Sequence, residues 1–326
     1  MTIQEFKAKA VCSLQKTSPY PQLDVQVLLE HALCYDKTKL LLKKDEQLSS
    51  EKQVWLEQAV QKRSEGLPVA YITGHKEFYG YDFFVTQDVL IPKPDTEILV
   101  ERAVSIILEK LQSRPGKLLT VCDMCTGSGC IALSVIKTLL ETKHVEPSAL
   151  PKFTLADISE PALRVARKNA ETLLLSKSVS QPGLALPETP SDLISSRLAF
   201  VRTNLFENIP GSFDVILSNP PYIPHTMVDD LLQDGRKEPR LALDGDITLN
   251  GERATNQSGR PKNDGLEIIR NLITQSRAHL APLGAILMET GEYNAKKAAK
   301  LGEQSGYKTQ IYKDLEGQLR VVEMNL

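Results

Sequence analysis

Asn219-Pro220-Pro221-Tyr222 is the stretch of this 326-residue chain whose residue types could do chemistry by themselves. It follows Phe213-Asp214-Val215-Ile216-Leu217-Ser218, which reads as a buried strand. Two consecutive prolines end a strand abruptly, because neither donates a backbone N–H and both fix φ. Their carbonyls and the Asn219 side chain stay available. A rigid set of hydrogen-bond acceptors at a strand's carboxyl end, with an aromatic beside it, can hold an –NH2 group in place. Taken alone, the same four residues also make a Pro-rich turn capped by Asn.

A second constellation lies upstream. The strand Leu118–Cys122 leads into Asp123-Met124-Cys125-Thr126-Gly127-Ser128-Gly129-Cys130 and then an apolar helix. Gly127 and Gly129 let a ligand approach the backbone, and the helix start offers unpaired N–H groups to an anion. The dinucleotide pattern is incomplete, because Ala132 stands at its last glycine position. Asp157 closes the next strand, where an acid can accept hydrogen bonds from ribose hydroxyls. N-capping the helix from Pro161 is an equally good use of it. The glycine loop follows the first strand of this region, the acid the second and the Asn-Pro-Pro-Tyr turn the fourth. All three sit at carboxyl ends, where open α/β sheets bind ligands.

These positions require an alternating scaffold. Candidate strands are Leu118–Cys122, Phe153–Ala156, Leu198–Val201, Phe213–Leu217 and Ala285–Met288. Candidate helices are Ile131–Leu140, Pro161–Leu175, Leu266–Leu280 and Ala295–Glu303. The alternation predicts a mostly parallel sheet covered on both faces, closed by an antiparallel hairpin of Lys308–Tyr312 and Leu319–Met324. Residues 1–75 read as a small helical domain for partner binding or core support, with Ser50 and Gln53 as a capping box. Residues 76–91 read as a β-hairpin linker around Gly80, and residues 92–326 as the α/β domain. Two polar, Pro- or Gly-punctuated stretches, 176–197 and 246–264, read as mobile surface insertions without catalytic groups.

The bulk composition excludes several classes. A 41% hydrophobic, 25% charged chain is globular rather than disordered, and a net charge of −2 gives no basic field to attract nucleic acid. No apolar run approaches the ~20 residues of a membrane span. The first residues carry an early Glu5 and no apolar core, unlike a secretory signal, and they make a poor transit peptide. Five cysteines, an odd number, suggest a reducing compartment, and cytoplasm is the simplest location. Cys122, Cys125 and Cys130 lack a second paired half-site, so packing rather than metal binding is expected. Of five scattered histidines, His225 alone falls near the Asn-Pro-Pro-Tyr turn, at a surface or substrate rim.

The chain resembles the HemK/PrmC family, protein-(glutamine-N5) methyltransferases that use S-adenosylmethionine. The resemblance runs through Leu23–His31, Val69–Gly74 and Glu77–Gly80. It continues through Val89-Leu90-Ile91-Pro92-Lys93-Pro94-Asp95-Thr96-Glu97, Asp214–Pro224, Glu238–Leu243 and Asp264-Gly265-Leu266. Lys93 stands where Arg is usual, Asp95 where Glu is usual, and Cys125 replaces the loop's first glycine. A Cys fits there if φ is negative, which is the expectation. The resemblance implies a class I (Rossmann-like) S-adenosylmethionine-dependent methyltransferase domain. It implies cofactor contacts from Cys125, Thr126, Gly127, Ser128, Gly129, Asp157, Asn204, Leu205 and Asn219, with Asn204-Leu205-Phe206 flanking adenine. Asn219 and the Pro220 carbonyl would hold the acceptor amide, and Pro221 and Tyr222 would wall it. Class 1 peptide chain release factors are the implied partners, methylated at the glutamine of Gly-Gly-Gln. A monomer without direct nucleic-acid binding is expected. An adenine amino-methyltransferase acting on DNA or RNA is the alternative, because a flipped base offers the same kind of –NH2. A non-catalytic nucleotide-binding scaffold is a third reading.

Overall fold

The computed structural model describes residues 1–175, 190–233 and 237–326. They form two compact units. One holds Met1–His75, Val85–Gln87 and Asp229–Lys237, and the other Lys76–Phe84, Asp88–Val228 and Glu238–Leu326.

The first unit is helical: α1 Ile3–Leu14, α2 Pro21–Leu33, α3 Lys37–Leu42, α4 Ser50–Ser64 and α5 Val69–Thr73. Thr2 and Glu5 cap α1 reciprocally, satisfying two backbone donors at its start. Ser49 caps α4 through the Lys52 N–H, one residue before the expected Ser50. Phe6, Leu14, Leu28, Leu29 and Leu56 fill the core at helical spacing.

The second unit begins at Lys76, within the hairpin of β1 His75–Phe78 and β2 Tyr81–Phe84, which turns on Tyr79 and Gly80 with φ of 54° and 76°. Helix α6 spans Glu97–Ser113. There follow β3 Thr120–Met124, α7 Cys130–Lys137, β4 Lys152–Asp157, α8 Glu160–Ala170, α9 Pro190–Ser196, β5 Leu198–Arg202 and β6 Phe213–Ser218. Next come α10 His225–Gln233, of which residues 229–233 are counted with the first unit, α11 Glu267–Ser276, β7 Leu280–Glu289, α12 Ala295–Gln304, β8 Lys308–Lys313 and β9 Leu319–Asn325. The expected helices at 131–140 and 161–175 end early, each passing into one looser π-turn. Of the insertion expected at 176–197, residues 176–189 lie outside the described residues, and 190–196 are α9.

The seven strands lie in the order β5-β4-β3-β6-β7-β9-β8, and only β9 runs against the others. This is the class I (Rossmann-like) methyltransferase sheet that the resemblance implies. Strand β6 alternates Val215 and Leu217 toward one face with Ile216 toward the other, and all are fully buried. Helices α6, α7 and α8 cover the first face, with Leu99, Val135 and Ala166; α11 and α12 cover the second, with Leu272 and Ala298. Strand order reverses between β3 and β6, opening a crevice at their carboxyl ends.

Candidate active site

Register sets the site. Met124 pairs with Ala156 of β4 and with Ser218 of β6, and Ser218 pairs with Met288 of β7. The next residues along these strands are Cys125, Asp157, Asn219 and Glu289, so four polar side chains form one row across the sheet. The Ser218 hydroxyl donates to the Met124 carbonyl at 2.8 Å, tying the two loop bases together. A cleft of about 170 Å3 opens above this row, with Cys125, Thr126, Gly127, Ser128, Asp157, Asn204, Leu205, Asn219 and Pro221 in its wall.

The glycine loop is held from below by Asp123, which is fully buried. Its Oδ2 accepts from the Thr126 hydroxyl at 2.6 Å and from the Ala132 N–H. Burial pushes the Asp123 carboxyl up to about 7, against the pull of those two donors. Asn169, also buried, donates to the Ser128 and Phe84 carbonyls and accepts from the Phe84 N–H. Cys125 takes φ +60°, in the left-handed region, so the expectation of a negative φ is overturned. The loop keeps the conformation a glycine would take there, at a cost of about 1–2 kcal/mol for a residue with a Cβ. The burial that raises its thiol pKa also raises that of Cys122 and takes that of Cys130 to about 12, so all three stay protonated near neutral pH.

Gly127 and Gly129 differ in role. A Cβ on Gly127 would meet nothing within 4 Å, and its φ is +55°. Gly129 is absent from the cleft wall: a Cβ there would meet Leu133 at 3.0 Å and Ala166 at 3.3 Å. Gly129 therefore permits close packing of the helix start.

Asp157 does not cap α8; Ser159 does, through the Ala162 N–H. The Asp157 carboxylate instead accepts from the Gly127 and Ser159 N–H groups, each at 2.9 Å. Each oxygen has a second lone pair left for a hydroxyl. Desolvation raises its pKa, opposed by those backbone donors. Asn204 donates to the Leu249 carbonyl at 2.7 Å. Leu205, with φ +49°, lines the cleft, but Phe206 is buried against His279 with centroids 4.7 Å apart and stays out of it.

Residues 246–264, which the family resemblance places near the substrate side, lie at the site. Asp246 is fully buried, Ile247, Thr248, Leu249 and Gly251 form one cleft wall, and Ile247 and Leu249 pack on the core. Asp246 accepts from the His225, Asp264 and Gly265 N–H groups, and His225 Nδ1 lies 2.6 Å from buried Asp244. His225 is thus braced from beneath rather than placed on an open rim.

In the Asn-Pro-Pro-Tyr turn, Asn219 Nδ2 donates to Thr96 Oγ1 at 3.2 Å. Among the described residues, no hydrogen bond ends on Asn219 Oδ1 or on the Pro220 carbonyl. Pro220 is buried, and Pro221 lines the cleft. The Tyr222 hydroxyl donates to Glu289 Oε1 at 3.1 Å, and the Tyr222 carbonyl accepts from Asn294 Nδ2 at 3.1 Å. Sequence reasoning passed over Asp123, Asn169, Thr96, Glu289 and Asn294. Glu289 left a readable signal: an acid closing an otherwise apolar strand.

The cleft has the parts a nucleoside sulfonium ligand requires. There is open space over Gly127, a carboxylate with spare acceptors, and an apolar wall of Leu205, Ile247 and Leu249.

A family model described as the PrmC N-terminal domain matches residues 6–74. A release factor glutamine methyltransferase from Rhodopirellula baltica is 34% identical over 315 residues, covering 95% of this chain and 91% of that protein. Another, from Haemophilus influenzae, is 30% identical over 312 residues, covering 94% and 92%. A solved protein-(glutamine-N5) methyltransferase from Alicyclobacillus acidocaldarius superposes with a TM-score of 0.35 at 23% identity, over 74% of this chain and 98% of that one. At that score the fold assignment rests on the strand order of the sheet itself.

Proposed function

Because the chain belongs to the release factor glutamine methyltransferase family, we propose that it methylates the side-chain amide nitrogen of the glutamine in the Gly-Gly-Gln motif of class 1 release factors, with S-adenosylmethionine as donor. The observation that carries this reading is the Asn219 amide. Its Nδ2 is engaged, its Oδ1 is unpartnered among the described residues, and it shares one cleft with the glycine loop and Asp157. In this reading the helical residues 1–75 bind the release factor.

Cys125–Ser128 and Asp157 would hold S-adenosylmethionine, which would supply an electrophilic methyl on sulfonium and leave as S-adenosylhomocysteine. A primary amide nitrogen is a poor nucleophile, because its lone pair is delocalised into the carbonyl. Asn219 Oδ1 and the Pro220 carbonyl accept its two hydrogens. That orients the lone pair toward the donor and stabilises the positive charge that grows on nitrogen. Pro221 excludes water beside it. No strong base is needed, because the alkylated amide is acidic and loses its proton to solvent.

The test uses methyl-labelled donor with a release factor, with its Gly-Gly-Gln variant carrying Gln→Ala, and with DNA. Label on the release factor alone, lost with Gln→Ala, supports the reading. Label on DNA, or equal label on the Gln→Ala variant, overturns it.

A further inference from the structure

Resting on the reading of the cleft as the donor site, we infer that Asn169 is a positioning residue for the donor. This one side chain fixes a peptide plane of the glycine loop and ties that loop to the hairpin linker, so that donor binding and order in β2 rise and fall together. Asn169 is 1% exposed, and its three hydrogen bonds all go to backbone groups of two segments far apart in the chain.

The partners fix which way the amide points. Asn169 Nδ2 donates to the Ser128 carbonyl at 2.9 Å and to the Phe84 carbonyl at 3.0 Å, and its Oδ1 accepts from the Phe84 N–H at 2.8 Å. A carbonyl only accepts and a backbone N–H only donates, so the two ends of the amide cannot be exchanged. In β2 the N–H and C=O of Phe84 point to one side, and Asn169 meets them as a residue of a neighbouring strand would. On the loop side it holds the Ser128–Gly129 peptide. Gly129 has φ +80°, but a glycine accepts either sign of φ, so it does not by itself choose the plane of that peptide. The partners at its two ends do: the Gly129 N–H donates to the Thr126 carbonyl at 2.8 Å, and the Ser128 carbonyl takes Asn169. Without Asn169 one of the two holds is gone, and the carbonyl of a buried residue loses its donor. Cys125 and Gly127 are left-handed as well, so this loop depends on support from outside itself.

Position gives the tie its use. Ser128 lines the cleft, beside the Gly127 N–H that donates to Asp157. Four residues after Phe84 the chain enters the wall of the same cleft, through Asp88, Val89, Leu90, Pro92 and Lys93. All of these residues belong to the second unit. A ligand that settles the Ser128 peptide therefore settles Phe84 through the same amide, and by reciprocity order at Phe84 favours the ligand by the same factor.

The test combines S-adenosylhomocysteine calorimetry with amide hydrogen exchange. Asn169→Ala should raise the S-adenosylhomocysteine Kd about ten-fold or more. Ile107→Ala truncates the same core at a residue outside the cleft wall and controls for lost stability; its Kd should stay within about two-fold of the unmodified protein. In the unmodified protein, saturating S-adenosylhomocysteine should slow exchange at the Phe84 amide about ten-fold more than at the amides of β8, the edge strand of the sheet. In Asn169→Ala that extra slowing should vanish. The exchange measured on the unmodified protein decides the matter if Asn169→Ala does not fold. A Kd unchanged in Asn169→Ala, an equal rise in Ile107→Ala, or a Phe84 amide slowed no more than those of β8 overturns the tie. If the unmodified protein binds no S-adenosylhomocysteine, the reading of the cleft as the donor site fails instead, so the two failures are distinct.

Discussion

Gly265→Ala tests the site from a residue that touches no ligand. Gly265 has φ +67°, and a Cβ there would stand 2.1 Å from the Tyr222 carbonyl oxygen and 2.8 Å from its carbon. The carbonyl has no room to retreat, because Asn294 holds it at 3.1 Å and a Cβ on Gly245 would already meet the Tyr222 Cα at 2.8 Å. Reaching even 3.0 Å requires the two backbones to part by about 0.9 Å, and a displacement near 1 Å at the reacting groups costs on the order of 10²-fold in rate. The left-handed strain adds about 1–2 kcal/mol and the overlap about 1–3 more. Gly265→Ala should therefore lose about 2–5 kcal/mol in urea unfolding and about 10²-fold in kcat. Its S-adenosylhomocysteine affinity should stay within a few-fold, since Cys125–Ser128 and Asp157 are not displaced. Gly317→Ala is the control: φ is +85° with nothing within 4 Å of a Cβ, so strain acts alone and activity holds. A Gly265→Ala protein with kcat within three-fold of the unmodified enzyme and stability within about 1 kcal/mol would refute the close-approach argument.

Asn219→Ala should cut turnover about 10²-fold or more while calorimetry finds cofactor affinity largely kept; an unchanged rate removes Asn219 from the chemistry. Asp157→Ala should weaken S-adenosylhomocysteine binding through the lost acceptor and the loosened Gly127 N–H, and equal affinity would make Asp157 purely structural. Cys125→Gly should change stability by less than about 1 kcal/mol, because relief of the left-handed strain offsets the greater freedom of the unfolded chain. A loss of several kcal/mol would show that the thiol's packing dominates. Burial raises Glu289 to about 7, opposed by Thr96 and Tyr222 and by the Arg320 charge. Its contribution to stability is therefore complete below the ordinary carboxyl range and is lost as pH rises through about 7, a fall of about 3 kcal/mol. Urea unfolding of Glu289→Gln between pH 5 and 8 should flatten that part of the slope, leaving the part due to Asp123; an unaltered slope would place the titration elsewhere.

The α/β architecture, the glycine loop and the Asn-Pro-Pro-Tyr turn were legible in the sequence because each is a local pattern. Strand and helix alternate with their own periods, prolines stop β6 where they stand, and glycines mark the turn after β3. The expected strands coincide with β3 to β9 to within a few residues at most ends, since runs such as Phe213–Leu217 are apolar on both faces. The tertiary structure alone decided what those patterns do together. It gave Cys125 a left-handed φ, moved the α8 cap from Asp157 to Ser159, and turned the polar stretch from Asp246 into a cleft wall. It also set Glu289 and Thr96 beside Asn219, and Gly265 against Tyr222. These are contacts between residues far apart in the chain, chosen by strand order and by a register in which a shift of one residue would turn every side chain to the other face. The sequence thus named the candidate groups. The register decided which of them share a row, and the buried partners decided which way each one points.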